Sequence, residues 1–129
     1  MIAYLDSSAI VKLVIRESES SALRRFLRAY AIRVSSELAR VEVIRAVRLQ
    51  DIEIRARALA VLSRIRLLRI DEDVISAAAT MNPAVLRSLD AIHLASAQVF
   101  GSELNAIVTY DARMREAASL IGFSTYAPE

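Results

Sequence analysis

The chain contains no cysteine, which excludes disulfide bridges, thiolate metal sites and cysteine nucleophiles. This composition fits a reducing cytoplasm, where we expect the protein to act. The single histidine, His93, cannot build the usual zinc sites, and without a strand–elbow motif it gives no credible Ser-His-Asp arrangement. No run of about 18 apolar residues is present, so we predict no membrane-spanning helix, and the start of the chain lacks the pattern of a signal peptide.

Glycine and proline are scarce, with two of each in 129 residues. A glycine-rich nucleotide-binding loop is therefore excluded, and we expect a compact chain of mostly regular structure. The length predicts one domain, residues 1–129, which buries about two thirds of the surface of its unfolded chain. Lys12 is the only lysine among the 17 basic residues. This excess of arginine favours a phosphate-bearing partner, although genomic base composition can produce the same bias.

Short apolar runs alternate with segments of helical periodicity along the chain. The predicted strands cover residues 2–5, 32–34, 67–70, 106–109 and 123–126. A first predicted helix follows the capping segment Asp6-Ser7-Ser8, and the others cover residues 18–30, 35–49, 51–64, 71–82, 88–100 and 111–122. The helix at 88–100 is apolar nearly all round and is expected to be buried. Because the strands lack alternating polarity, this order predicts an α/β fold with a parallel sheet and helices on both faces.

Four carboxylates stand beside apolar sequence, whereas most other acidic residues fall at predicted helix ends or on polar faces. Asp6 and Asp111 follow predicted strands, and the carboxyl ends of parallel strands form the edge at which open α/β folds bind ligands. Glu42 and Asp90 each have apolar residues four positions before and after them, which places them on inward helix faces. Helix capping is the alternative role for Asp6, Asp90 and Asp111, but a mid-helix glutamate facing inward is rare unless it is paired.

Converging carboxylates repel one another by roughly 4 kcal/mol for each pair at about 4 Å. No lysine is near them in sequence, and Arg45, one turn from Glu42, could offset one charge. Mg²⁺ or Mn²⁺ is the natural counter-ion, because both bind carboxylate oxygen and water. Such a site suits phosphodiester hydrolysis, since a bound metal ion lowers the pKa of its water and neutralises charge at phosphorus.

Four short blocks resemble those of the PIN-domain nucleases, and most closely the toxins of VapBC toxin–antitoxin systems. They are residues 2–9 (IAYLDSSA), 35–42 (SSELARVE), 89–97 (LDAIHLASA) and 107–111 (IVTYD). The blocks occur in the family's order across essentially the whole chain, and 89–97 is the most specific. The resemblance implies a PIN-like three-layer fold with a central parallel sheet of strand order 3-2-1-4-5. It also implies Mg²⁺ or Mn²⁺ dependence, hydrolysis of RNA as a toxin, a cognate VapB-type antitoxin and a homodimer.

The same four carboxylates are the expected catalytic residues. Asp6, Asp90 and Asp111 are expected to be metal ligands, directly or through water. Glu42 is expected to be either a further ligand or the group that orients the attacking water.

Other residues near the blocks have candidate supporting roles. Ser8 and Thr109 are candidates for hydrogen bonds to the carboxylates or their waters, with helix capping and an ordinary strand position as the respective alternatives. His93 is expected to be a core histidine. Four arginines are candidates for contacts with RNA phosphates, namely Arg40, Arg45, Arg87 and Arg113. For each of them, an ordinary surface position is the alternative.

Two other classes of function are the alternatives. One is an RNA- or protein-binding module without turnover, but an acidic pocket repels phosphate unless a metal ion is present. The other is a phosphatase or a response-regulator-like receiver. A receiver needs an acceptor aspartate on its third strand and a lysine on its fifth, whereas residues 67–70 read LLRI and no lysine follows Lys12. The predicted function is therefore that of a metal-dependent endoribonuclease.

Partner binding is predicted from the apolar content, which at 55% is high for a free monomer. Val11, Val14 and Ile15 broaden the apolar stripe of the first predicted helix beyond what packing on one face of a sheet needs. We therefore expect an exposed apolar groove on the first two helices, which would receive a second copy of the chain or an antitoxin segment.

Overall fold

Five short parallel strands form one sheet in the computed structural model, which describes all 129 residues. The strands are β1 (Ile2–Leu5), β2 (Ile32–Ser36), β3 (Arg66–Leu68), β4 (Leu104–Val108) and β5 (Thr125–Tyr126). Their order is β3-β2-β1-β4-β5, and every neighbouring pair is parallel. The strand order expected from the resemblance is confirmed, and β1, which carries the first block, is the central strand.

Seven α-helices cover the two faces of this sheet. They are α1 (Ser7–Val14), α2 (Ser20–Leu27), α3 (Leu38–Ala46), α4 (Ile52–Ser63), α5 (Glu72–Ala79), α6 (Ser88–Val99) and α7 (Ala112–Leu120). Side chains alternate between faces along β1. Ala3 and Leu5 join the core formed with α1 to α4, and Tyr4 joins the core formed with α6 and α7. No helix has the length and apolar character needed to cross a membrane.

The second strand is longer than predicted, and this shifts the start of α3. Ser35 and Ser36 were expected to open a helix, but they pair with β3 as the last residues of β2. The Ser35 hydroxyl donates to the carbonyl of Leu5 (2.6 Å), and Ser36 Oγ accepts from the backbone N–H of Leu38 (3.1 Å). Serine is a common capping residue, so the local pattern favoured a helix, whereas pairing with β3 decides for a strand.

Burial on α6 follows the prediction in the middle of the helix and departs from it at the ends. Residues 93–97 are buried between the sheet and its neighbouring helices, whereas Leu89 and Val99 are exposed. The apolar residues at the helix ends extend beyond the area that the sheet and α5 cover.

Other helices cover much of the first helix, where an apolar groove was predicted, and Leu13 still lines a shallow cavity together with Arg24 of α2. α1 contacts α2, α3 and α4, and Val11 and Ile15 pack against the core while Val14 is fully buried. The broad apolar stripe of α1 therefore serves internal packing on several sides. Large apolar side chains are exposed instead on and beside α3 and α4, namely Val41, Ile44, Leu49, Ile52 and Leu59.

Candidate active site

Asp6 is buried where β1, α1 and β4 meet. Its backbone N–H donates to the carbonyl of Val108 (3.2 Å), which extends the pairing of β1 with β4. Asp6 Oδ1 accepts from the backbone N–H of Ala9 (3.0 Å) and the Ser8 hydroxyl (2.6 Å), and Oδ2 accepts from the Thr109 hydroxyl (2.5 Å). Asp6 therefore caps α1, and both hydroxyls proposed to support a carboxylate lie on this one. Burial raises the pKa of Asp6, and the bonds from Ser8, Thr109 and Ala9 offset this only in part.

Asp111 lies beside Asp6 at the same edge of the sheet and is the N-cap residue of α7. Its Oδ1 accepts from the backbone N–H groups of Arg113 (2.9 Å) and Met114 (3.4 Å). Its own N–H donates to Thr109 Oγ1 (3.1 Å). Thr109 is thus a hydrogen-bonded link between the two strand-end carboxylates, donating to Asp6 and accepting from Asp111. Asp111 therefore caps α7, which confirms the alternative role given for it. Only Oδ1 accepts the capping hydrogen bonds, and Oδ2 accepts none of them.

Glu42 reaches the site from the middle of α3 and shares one oxygen between two donors. Glu42 Oε1 lies 2.7 Å from the Ser7 hydroxyl and 2.7 Å from His93 Nε2. The other ring nitrogen of His93, Nδ1, lies 2.7 Å from the Tyr4 hydroxyl. Burial raises the pKa of Glu42, but the bonds from His93 and Ser7 outweigh it and hold the pKa below its usual value.

Sequence reasoning missed Ser7 and Tyr4 and gave His93 no contact with the acids. His93 is 3% exposed, as expected of a core histidine, and it also bonds to Glu42. The sequence did contain a signal that could have found these residues, because they lie in the same blocks as the acids. Ser7 and Tyr4 lie in the block of Asp6, and His93 lies in the block of Asp90.

Asp90 is half-buried and differs from the other acids because no hydrogen bond or ion pair holds its carboxylate. It lies in the first turn of α6, where the capping alternative is wrong, since no side chain caps this helix. Burial and the nearby carboxylate of Asp111 raise the pKa of Asp90. Asp6 and Glu42 raise it further, and His93 opposes them. The other three acids therefore all act electrostatically on Asp90.

The negative charge of this cluster has little compensation from basic side chains. The ion pairs of the chain are Lys12 with Glu17 and Lys12 with Glu19, and the imidazole of His93 contacts Glu42. Arg45, which was expected to offset Glu42, is exposed and forms none of them. The main-chain and hydroxyl donors at Asp6 and Asp111, and the imidazole at Glu42, take the place of arginine.

The donor set suits a hard divalent cation, although it does not form a closed metal cage. No three aspartate, glutamate or histidine side chains lie close enough together to hold a metal ion as they stand. Asp6, Asp90 and Asp111 offer carboxylate oxygens only, which is the chemistry that Mg²⁺ and Mn²⁺ prefer. The unpartnered, half-buried carboxylate of Asp90 is the observation that fits a cation best.

A cavity of about 370 Å³ opens beside Asp90 and contains two of the four candidate RNA-binding arginines. Arg87 and Arg113 line it together with Asp90 and an apolar wall that includes Leu86 and Leu120. The other two candidates, Arg40 and Arg45, are exposed on α3 and do not line this cavity. The structure thus brings Arg87 and Arg113 to the acidic site, whereas nothing places Arg40 or Arg45 against it.

The sheet is parallel with strand order 3-2-1-4-5, and a cluster of carboxylates lies at the carboxyl end of its central strands. These two features define the class of the protein as an open α/β domain with an acidic site at the edge where such domains bind ligands. The family model described as PIN domain matches residues 3–120, and the chain belongs to the PIN-domain family.

Close relatives within this family carry ribonuclease names. The chain is 51% identical to Ribonuclease VapC46 of Mycobacterium tuberculosis over 125 residues, which cover 97% of this chain and 96% of that protein. It is 42% identical to Ribonuclease VapC47 of the same species over 130 residues, with the same coverage of 97% and 96%.

Solved structures share the fold at low sequence identity. A toxin–antitoxin complex from Klebsiella pneumoniae matches with a TM-score of 0.76 and 22% identity, covering 98% of both chains. The Mycobacterium tuberculosis toxin VapC20, described as cleaving the sarcin–ricin loop, matches with a TM-score of 0.70 and 18% identity, covering 98% of this chain and 99% of that one.

The uncompensated charge on Asp90 predicts a pH-dependent gain in stability for Asp90→Asn without metal. Because the pKa of Asp90 is raised in the folded chain, its charged form destabilises the folded state at pH values above that pKa. This destabilisation disappears as the pH falls towards the usual pKa of 3.8. We expect the variant to be more stable by about 0.5–1 kcal/mol at neutral pH, a small fraction of the full repulsion because the group is half exposed. Urea unfolding with a chelator at several pH values measures this difference.

The matched control is Asp73→Asn, an exposed acid in the first turn of α5, which should gain nothing. An equal gain in both variants, or a gain for Asp90→Asn that grows as the pH falls, would contradict the electrostatic interpretation.

Proposed function

We propose that the chain is a divalent-metal-dependent endoribonuclease and the toxin of a toxin–antitoxin pair. The observation that carries the nuclease proposal is the Asp90 carboxylate, half-buried and unpartnered, with Asp111, Asp6 and Glu42 acting on it. Such a cluster is stable only with cations or protons, and a cation here would draw a phosphodiester to the carboxylates. The ribonuclease names of relatives that match almost the whole chain support RNA as the substrate class.

The roles of the acids follow from their hydrogen bonds. Asp6, Asp90 and Asp111 would hold Mg²⁺ or Mn²⁺, directly or through water, with Asp6 kept in place by Thr109. The bound ion supplies an activated water and neutralises charge at phosphorus. Glu42 has Oε1 occupied by two donors, so Oε2 is the atom available to orient water or to contact the ion.

Arg87 and Arg113 are the basic groups best placed to receive the substrate. Both line the cavity beside Asp90, and neither forms an ion pair within the chain. Their guanidinium groups are therefore free to bind RNA phosphates on either side of the cleaved bond. A binding module without turnover would use the same arginines but would have no need of the acidic cluster.

The first test of this function is cleavage of total cellular RNA with and without Mn²⁺, followed by mapping of the cut ends. We expect Mn²⁺-dependent cleavage that falls about 100-fold or more in Asp6→Asn, Glu42→Gln, Asp90→Asn or Asp111→Asn, because each removes an oxygen that the ion or water needs. Asp73→Asn serves as the surface control and should cleave normally. Wild-type rates in Asp90→Asn would refute the site assignment, and RNA binding without any cleavage would favour the binding module.

Metal binding should also stabilise the folded chain. An ion present at about 100 times its dissociation constant adds roughly 2.7 kcal/mol, which raises the melting temperature by several degrees in a domain of this size. We expect this rise with Mn²⁺ or Mg²⁺ in the wild type and its loss in Asp6→Asn, which keeps a residue suited to helix capping. A rise of the same size in Asp6→Asn would indicate a general ionic effect and count against a metal site.

We further propose that the shallow groove between α3 and α4 receives an apolar segment of a cognate VapB-type antitoxin. The groove has a volume of about 220 Å³, and its walls are Ile44, Val47, Arg48, Arg55 and Leu59. It contains no acidic residue, so a second copy of the same face would bring arginines against arginines. A helix with an apolar stripe and flanking acidic residues complements this surface better. The homodimer expected from the resemblance would then use another face of the chain.

The antitoxin proposal predicts that expression of the chain alone slows growth and that the small protein encoded beside it relieves the effect. Leu59→Glu should abolish this relief while leaving RNA cleavage intact, because it places a charge in the groove away from the acids. Ile75→Glu is the matched control, since Ile75 on α5 is 54% exposed and Leu59 is 61% exposed.

Growth assays with co-expression, pull-down of the neighbouring protein and light scattering of the purified chain measure relief, binding and dimerisation separately. If the neighbouring protein still relieves the growth effect of Leu59→Glu, the antitoxin binds a different surface. A harmless monomer without a partner would defeat the toxin proposal while leaving the nuclease proposal intact.

A further inference from the structure

The Tyr4, His93 and Glu42 side chains form a chain of hydrogen bonds that runs from the core to the acidic site. His93 Nε2 lies 2.7 Å from Glu42 Oε1, and His93 Nδ1 lies 2.7 Å from the Tyr4 hydroxyl. The Tyr4 and His93 rings meet edge to face, with centroids 5.9 Å apart. Tyr4 is fully buried and His93 is almost so, whereas Glu42 is only half-buried. Two rigid groups in the core therefore hold one end of a flexible side chain that reaches the solvent.

Hydrogen-bond complementarity assigns the donors along this chain. An ionised carboxylate only accepts, so the bond to Glu42 requires a hydrogen on His93 Nε2. In the neutral imidazole, Nδ1 is then an acceptor and takes the hydrogen of the Tyr4 hydroxyl. Burial keeps Tyr4 protonated by raising its pKa far above its usual value. Each group thus has one role, and moving the hydrogen of His93 from Nε2 to Nδ1 would leave Glu42 with Ser7 as its one donor.

As a result, one oxygen of the Glu42 carboxylate accepts hydrogen bonds from the chain and the other accepts none. Oε1 receives both His93 and Ser7, and Ser7 also lies within 3.4 Å of His93 Nε2. A glutamate has several rotatable bonds and loses much rotamer freedom when it is fixed. With Oε1 held by two donors, the side chain cannot turn away from the site, and Oε2 is kept for water or metal.

We propose that His93 is a positioning residue for the reaction, holding Glu42 in a single orientation and supported in its tautomer by Tyr4. This inference rests on the proposed nuclease function for its effect on rate, but the hydrogen bonds themselves do not depend on that function. His93 does not touch substrate in this proposal and acts only through Glu42.

The test compares two replacements of His93 that differ in whether they offer a donor to Glu42. His93→Leu fills the space without a donor, whereas His93→Gln offers an amide N–H near the position of Nε2. Initial rates are measured on total cellular RNA with Mn²⁺, at limiting and saturating RNA. We expect His93→Leu to lower the rate at saturating RNA by about 10- to 100-fold with little change in the RNA concentration needed, and His93→Gln to recover most of it. Tyr4→Phe should have a smaller effect of the same kind.

Ser20→Ala is the matched control for a general loss of packing. Ser20 is 1% exposed and its hydroxyl bonds to the carbonyls of Lys12 and Ile15, away from Glu42. We expect it to lower the melting temperature without lowering the saturated rate. Equal losses in His93→Leu and His93→Gln, each in step with the melting temperature as in Ser20→Ala, would overturn the positioning role.

A measurement without metal separates this inference from the proposed function. His93 is the only histidine, so the nitrogen resonances of its ring can be assigned without ambiguity. We expect the metal-free wild type to show a hydrogen on Nε2 and none on Nδ1, and Glu42→Ala to lose this fixed tautomer. A hydrogen on Nδ1 in the wild type, or a spectrum unchanged by Glu42→Ala, would overturn the inference. A wild type that shows the expected tautomer but cleaves no RNA would overturn the nuclease proposal alone.

Discussion

The geometry of this site depends on the hydrogen bonds that the buried carboxylate of Asp6 accepts. Asp6 ends the central strand, starts α1 through the bond to Ala9, and accepts the hydroxyl of Thr109 from the neighbouring strand. A carboxylate taken out of water costs free energy unless donors surround it, and here they come from two strands and a helix. The same bonds therefore hold the strand ends together and place the first acid. Asp111 follows from this arrangement, because Thr109 also accepts its backbone N–H.

The remaining acids are brought in by helices, and the fold separates their charges from the many arginines. Asp90 comes from α6 and Glu42 from α3, on opposite faces of the sheet, and both converge on its carboxyl edge. An arginine bound tightly to these acids would neutralise them and oppose a metal ion. In this structure Arg87 and Arg113 lie at the cavity wall and form no ion pair with the acids, which is the arrangement that the proposed contact with phosphate needs.

The surfaces for partners lie away from this edge of the sheet. Most aliphatic residues of α1 pack against three other helices. The groove between α3 and α4, which we propose as the antitoxin site, combines apolar side chains with Arg48 and Arg55 and would complement an acidic, apolar segment. Because α3 also carries Glu42, an occupant of the groove would sit on the helix that positions one of the acids.

The sequence by itself determined the order of elements and the parallel α/β class, and it singled out the four acids as candidate site residues. These depend on local patterns: apolar runs of strand length, helical periodicity and carboxylates beside apolar residues. The strand order was implied by the resemblance of the four blocks and not by these local patterns. The capping roles of Asp6 and Asp111 were likewise visible, because a cap is a contact within three residues.

Only the tertiary structure decided the contacts between residues distant in sequence. The Ser7–Glu42, Glu42–His93 and Tyr4–His93 bonds join residues 35, 51 and 89 positions apart. The assignment of Ser35 and Ser36 to a strand depended on β3, and the covering of α1 depended on three later helices. A local pattern states which face of an element is apolar, but the packing of all the elements decides what that face meets.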